Sequence, residues 1–281
     1  MPLGIARHII TEYTASAWSP ATDITAAIWI DASDTSSYST SGSNVTAVTD
    51  KAGNATITVN GTPSTSTVLN SLKTFTFDSG ENEDLTTNEV LQAASGNHWA
   101  IGVWQWNSVD NTKDSFWSTE NNTVNAVTNK RDYAVSAGDN SNFNGELDLD
   151  SLSNNRISTT IGDKEQFNAA TFGSKNTWRI LGVFFNKSFN QIGARVNGAN
   201  AFIPVNDYDN SLTPNLDLRI MRNRSSIRMS GKMAEFFSVA DLPGTGGTDI
   251  STFEKAEGYL AHKWGLTSGL PVSHPYKTSA P

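Results

Sequence analysis

The chain has 281 residues and no cysteine. Disulfides and thiolate metal sites are therefore excluded, which fits assembly in a reducing cytoplasm or stability drawn from packing and assembly. Charge is sparse, at 17% of residues, and cations are the scarcer sign: 20 Lys and Arg against 28 Asp and Glu leave a net charge of −8. A nucleic-acid binder shows the opposite balance, so no nucleic acid is expected as a partner. Long apolar runs are also missing. No stretch approaches the roughly 20 apolar residues that span a bilayer, so no membrane partner is expected. The opening MPLGIARHIITEYTASAW breaks its apolar pieces at Arg7, His8 and Thr11 and does not read as a secretory signal. Synthesis in a cytoplasm without export is the expectation. No sequence period repeats, which argues against a solenoid or propeller.

What is present is a core former. Eight Trp, six Tyr and thirteen Phe accompany a background of Ser, Thr, Asn and Gly. This is the composition of many short strands joined by polar turns. Strand patterns begin at AIWIDA (Ala27–Ala32) and recur at VTAVTD, TITV and KTFTFD, the last with Phe75 and Phe77 on one face. HWAIGVWQW (His98–Trp106) is the longest, and a further series runs to GKMAEFFSV. One amphipathic helix follows, STFEKAEGYLAHKWG. Ser251 and Glu254 match a capping box, Phe253, Ala256, Leu260 and Trp264 line one face, and Gly265 occupies the left-handed cap position. The chain reads as an N-terminal arm over residues 1–20 and a single all-β domain over 21–281, closed by that helix.

Three blocks carry a family resemblance: IWIDASDTSSY with VTDKAGNAT near the start, GKMAEFFSVADLP (Gly231–Pro243), and FEKAEGYLAHKWGL with LPVSHPYKTSAP at the end. Together they resemble the concanavalin A-like, laminin-G-like jelly-roll domains of bacteria and phages. The resemblance implies a jelly-roll β-sandwich. It also implies, as one common home, the virion surface of a phage. There the chain is expected to be a capsid decoration or surface appendage without enzymatic activity. Its partners are expected to be other virion proteins, reached through the arm, in an oligomeric setting, together with host-surface glycans. The alternatives are a bacterial carbohydrate-binding module and a jelly-roll glucanase.

The glucanase alternative rests on NGELDLDS. Glu146, Asp148 and Asp150 alternate with leucines, similar to the Glu-x-Asp-x-Glu strand of jelly-roll glucanases. A retaining glycosidase needs two carboxyls about 5–5.5 Å apart. Glu146 and Asp150 stand about 13 Å apart along an ideal strand, and Asp is one methylene short. The favoured reading is a solvated strand face, and no catalytic residue is assigned. For glycans, Trp104 and Trp106 share one strand face and are the candidate stacking platform, against the favoured alternative that both are core. Arg219, Arg222, Arg224, Arg228 and Lys232 fall together without an intervening acid and are candidates for docking an acidic partner or an anionic polysaccharide. Asp207, Asp209 and Asn210 offer too few oxygens for calcium, so neither metal nor cofactor is assigned. His274 is read as a satisfied structural residue, and Glu235, inside an apolar strand, as one that meets a cation or backbone N–H groups.

Overall fold

A computed structural model describes residues 18–65, 67–88, 97–108, 114–119, 132–137, 147–152, 164–167, 175–186, 191–203, 218–222, 228–245 and 249–281. Strands appear where apolar alternation and β-branched or aromatic residues coincide. In chain order they are β1 (Ala26–Asp31), β2 (Tyr38–Ser41), β3 (Asn44–Val48), β4 (Ile57–Asn60), β5 (Val68–Leu69), β6 (Leu72–Lys73), β7 (Phe75–Phe77), β8 (Asp84–Thr87) and β9 (His98–Ser108). There follow β10 (Asp114–Thr119), β11 (Asp132–Ala137), β12 (Leu147–Leu152), β13 (Lys164–Phe167), β14 (Arg179–Asn186), β15 (Gln191–Val196), β16 (Ala199–Ile203), β17 (Leu218–Ile220) and β18 (Ser230–Val239). The helices are the one-turn α1 (Pro20–Asp23) and α2 (Ser251–Lys263).

Two antiparallel sheets form an all-β jelly-roll sandwich. The first runs β1-β18-β9-β14-β15-β16, with β7 also on β18; the second runs β13-β12-β11-β10-β17-β8-β4. Between them lies the main core. Ile28, Ile30, Trp104, Trp106, Val183, Met233 and Phe236 of the first sheet meet Leu85, Phe116, Trp117, Leu218 and Ile220 of the second. The opposite face of the first sheet carries Trp29, Trp99, Ile101, Val103, Phe184 and Phe237. It is sealed by Phe253, Ala256, Leu260 and Ala261 of α2 and by Trp264 directly after it. These are the helix positions that the 3.6-residue period selects. Each large one of these, such as Phe253 or Leu260, contributes about 1.5–3 kcal/mol when fully buried.

The helix ends differ in how well their signals predicted them. At the C-terminus, Gly265 takes φ +70°. Trp264 N–H then donates to Leu260 O and Leu266 N–H to Ala261 O, the expected left-handed cap. At the N-terminus the capping box does not form, and Ser251 is already helical. Pro243 O accepts from Thr252 and Phe253 N–H, and Asp249 Oδ1 accepts from Ser251 N–H. A returning loop has displaced the local cap, because its carbonyl reaches the same orphan donors.

The free edge of β1 is also closed. Asp50 Oδ1 accepts from Trp29 N–H at 2.7 Å, Lys51 N–H donates to Trp29 O, and Asn54 Nδ2 donates to Ala26 O. The DKAGN turn thus supplies the partners that a neighbouring strand would give, which protects the edge from further pairing.

At the other end of the chain's path, residues 1–17 of the expected arm lie outside the described residues. Trp18 belongs to the folded body. It packs on Tyr259, with ring centroids 5.5 Å apart, and its N–H donates to Pro281 O.

Candidate functional site

The three sequence blocks meet at one place, beside α2. The bulge in β18 starts it. Met233 pairs with Trp104 and Glu235 with Val103, so Ala234 is the extra residue. Alternation then breaks: Ala234 and Glu235 both face the helix side, and a carboxylate enters an apolar layer. Glu235 is 0% exposed. Four donors satisfy it. Trp29 Nε1–H and Tyr259 O–H reach Oε1 at 2.8 and 3.0 Å, while Lys263 Nζ and Trp264 Nε1–H reach Oε2 at 2.7 and 2.9 Å.

Asp31, paired with Glu235 across β1 and β18, extends the cluster. Its Oδ2 accepts from Lys263 Nζ at 2.9 Å and Lys51 Nζ at 3.0 Å. Its Oδ1 accepts from Ser33 N–H at 3.0 Å and Ser33 O–H at 2.6 Å. Lys51 also bonds Asp34 at 2.8 Å and lies 4.1 Å above the Trp29 ring. Burial opposes charge on Asp31, but Lys263, Ser33 and Lys51 outweigh it and hold its carboxyl below the usual value. Hydrogen bonds from Lys51 and Ser36 hold Asp34 at about 2. Burial dominates at Glu235 and pushes its carboxyl up, against the pull of Lys263. The Tyr259 phenol is raised by burial and by Glu235.

A second buried pair fastens the C-terminal tail. Arg195 holds Glu257 through Nε and Nη2 at 2.8 and 2.9 Å, and Nη2 also donates to Gly198 O. His274 Nε2 lies 3.1 Å from Glu257 Oε2, and His274 Nδ1 accepts from Tyr276 N–H. His274 is thus fully bonded and buried. The carboxylate beside it was not legible as a neighbour from sequence spacing. Lys277 completes the tail by donating to three carbonyls, those of Thr267, Ser268 and Leu270.

The proposed sugar platform is corrected by burial. Trp104 and Trp106 are 0% and 2% exposed. They face the second sheet, with Trp104 stacked on Trp117 at 5.6 Å. Neither indole has a face for a sugar ring, because the strand face they share is the inward one.

The arginine group is also corrected. Arg219 is buried, and Arg228 Nε donates to Asp84 Oδ2 at 2.6 Å, with Arg222 Nη1 3.7 Å from the same oxygen. Arg228 also bonds Asn82. Asp84 is fully buried and takes a further bond from Asn60 Nδ2 at 2.6 Å. Lys232 sits half-buried on β18, between Gln105 and Thr76. Two of the five cations, Arg222 and Arg228, thus converge on the protein's own Asp84. Arg224, Glu146, Asp207, Asp209 and Asn210 lie outside the described residues.

Backbone register lines up residues 164, 150, 134, 118, 219, 86 and 58 across all seven strands of the second sheet, and on the face away from the core this row carries Ser118, Arg219, Thr86 and Thr58. The adjacent row is Glu165, Leu149, Val135, Trp117, Ile220, Leu85 and Val59, whose last four members pack in the core or against it. Asp150 and Asp148 of β12 therefore stand in register with Ala134 and Ser136, on an ordinary antiparallel strand. At the β4–β8–β17 end of this face, Thr58 is exposed. Asn60, Thr86, Arg222 and Arg228 stay partly in solvent, converging on Asp84.

The chain matches no family model and no curated protein. Its fold is shared with solved structures. The binding domain of botulinum neurotoxin serotype D aligns at TM-score 0.53 and 12% identity, over 78% of this chain and 49% of that one. The binding domain of botulinum neurotoxin DC, in complex with SialylT, aligns at TM-score 0.52 and 12% identity, over 84% and 52%. Domain 4 of AbnA, a GH43 extracellular arabinanase from Geobacillus stearothermophilus, in complex with arabinotriose, aligns at TM-score 0.48 and 13% identity, over 67% and 84%. The chain spans about half the length of the toxin binding domains. At identities this low, the two toxin alignments establish the shared β-sandwich fold alone.

Proposed function

We propose that this chain is a non-catalytic carbohydrate-binding β-sandwich domain. Its ligand face is the outer face of the second sheet, at the β4–β8–β17 end. The observation that carries this reading is the asymmetry of the two sheets. Both faces of the first sheet are packed, one against the second sheet and one against α2. The outer face of the second presents exposed Thr58, in register with Thr86, beside Asn60, Thr86, Arg222 and Arg228, which converge on Asp84. Convergent polar groups held by a rigid sheet are what a sugar's hydroxyls require. The binding domain solved with SialylT is a fold neighbour, which is consistent with this use. The comparisons lend no support to the virion role or to virion partners expected from the resemblance, so the glycan-binding alternative takes precedence.

The absence of glycan cleavage is part of the proposal. Among the described residues, the buried carboxylates Asp31, Glu235, Glu257 and Asp84 are each held by a cation. The test is a glycan array followed by titration of the best ligand, with Thr58→Arg and Thr86→Arg variants. Each variant is expected to weaken binding about tenfold, about 1.4 kcal/mol, without unfolding. Unchanged affinity in both variants overturns the location. A wild-type chain that retains no glycan, or that cleaves one, overturns the reading.

A further inference from the structure

The Lys263, Asp31 and Glu235 cluster has the parts of a bond-forming site. Lys263 Nζ is an amine poised on a carboxyl, 2.9 Å from Asp31 Oδ2. A buried carboxylate, Glu235 Oε2, sits 2.7 Å from the same nitrogen, where it can take its proton. Ser33 N–H and O–H both donate to the other oxygen of Asp31, at 3.0 and 2.6 Å. That is where charge collects if the carboxyl carbon becomes tetrahedral. Lys51 Nζ lies 3.0 Å from Oδ2, the oxygen that would leave. Trp29, Trp264 and Tyr259 wall the cluster, and Asp31 and Glu235 are almost wholly removed from water. Such burial hinders water from reversing the reaction.

We propose that Lys263 and Asp31 form an intramolecular isopeptide bond, with Glu235 as the catalytic proton relay. Glu235 takes a proton from the Lys263 ammonium, and the freed lone pair attacks Asp31 Cγ. The new N–C bond gives a tetrahedral centre whose Oδ1 is held by Ser33. The C–Oδ2 bond then breaks. Two protons in all pass from the nitrogen to Oδ2 through Glu235, and Oδ2 leaves as water. An ammonium and a carboxylate thus become a neutral amide and one water, and Glu235 ends as it began. No oxidant, metal or co-reactant is needed. Proximity supplies the drive, because the reacting groups are already in contact in the folded chain. Lys51 stays a cation, held by Asp34 at 2.8 Å. The product ties β1 covalently to the last turn of α2, closing a loop of most of the chain.

Intact mass spectrometry of the purified, denatured full chain decides this. The expected mass is one water below that of the sequence, and protease digestion should yield a branched peptide joining Asp31 to Lys263. Lys263→Arg keeps the charge without the nucleophile, and Glu235→Gln keeps the shape without the base. Both should restore the full sequence mass. A wild-type chain at its full sequence mass overturns the proposal whatever the variants do. A cross-link that maps to Lys51, or one that persists in Glu235→Gln, overturns the assigned roles.

Discussion

Arg195 and Glu257, sixty-two residues apart, lock face to face through two hydrogen bonds of 2.8 and 2.9 Å, and neither side chain is more than 3% exposed. Arg195 lies on the first sheet and Glu257 on α2, so the pair sets where the helix sits. Removing one partner deprives the other buried charge of its main counter-ion. Glu257→Ala is expected to cost about 3–5 kcal/mol. Arg195→Met combined with Glu257→Leu should cost markedly less, since no charge is then stranded. Urea denaturation of the three proteins measures both values.

Trp104 belongs to the sandwich core, stacked on Trp117 and touching Phe116 and Phe236. Trp104→Ala should lower stability by about 3–5 kcal/mol through the lost burial and the cavity left behind. Any loss of glycan binding should follow the unfolded fraction. Binding measured well below the mutant's melting temperature separates a core role from a contact role.

Acid should weaken the fold through Asp34. Its carboxyl lies lower in the folded chain than its ordinary value of 3.8, at about 2. Across that window the unfolded chain binds more protons, so stability rises with pH. The contribution is fully present above about 4 and lost as pH falls toward 2. Glu235 works with the opposite sign, because its raised value favours the folded chain when protonated. Melting curves of Asp34→Asn should therefore show a shallower fall with acid than those of the native chain. An unchanged slope would remove Asp34 from this account.

The C-terminal tail depends on a bare helix surface at Gly258. A β-carbon there would stand 2.5 Å from Tyr276 Cβ. Gly258→Ala gains helix propensity but should lose about 1–3 kcal/mol to overpacking. The tail beyond Pro271 should lift, and brief proteolysis should cut within 271–281 in the variant and not in the native chain.

Sandwich strands and the closing helix were legible because their periods are local: alternation of two in KTFTFD, steps of three and four from Phe253 to Trp264. The blocks that carry the family resemblance were also legible as text. Their meaning was not. Glu235 stood out as a charge in an apolar strand, but its four donors come from residues 29, 259, 263 and 264. Trp104 and Trp106 were visibly on one face. Which face looked inward depended on a sheet packed against them from far along the chain. The arginine group was legible as a cluster in sequence, while Asp84, which draws two of them together, lies more than 130 residues away.

The sequence by itself determined the alternation, the helix and its left-handed stop, because backbone and side-chain periods act over a few residues. Only the tertiary structure decided which carboxylate meets which cation, and it placed β18 between β1 and β9 with a bulge at Ala234. Pairing of strands some two hundred residues apart is a choice among many registers, and burial of the whole core, not any local preference, selects one.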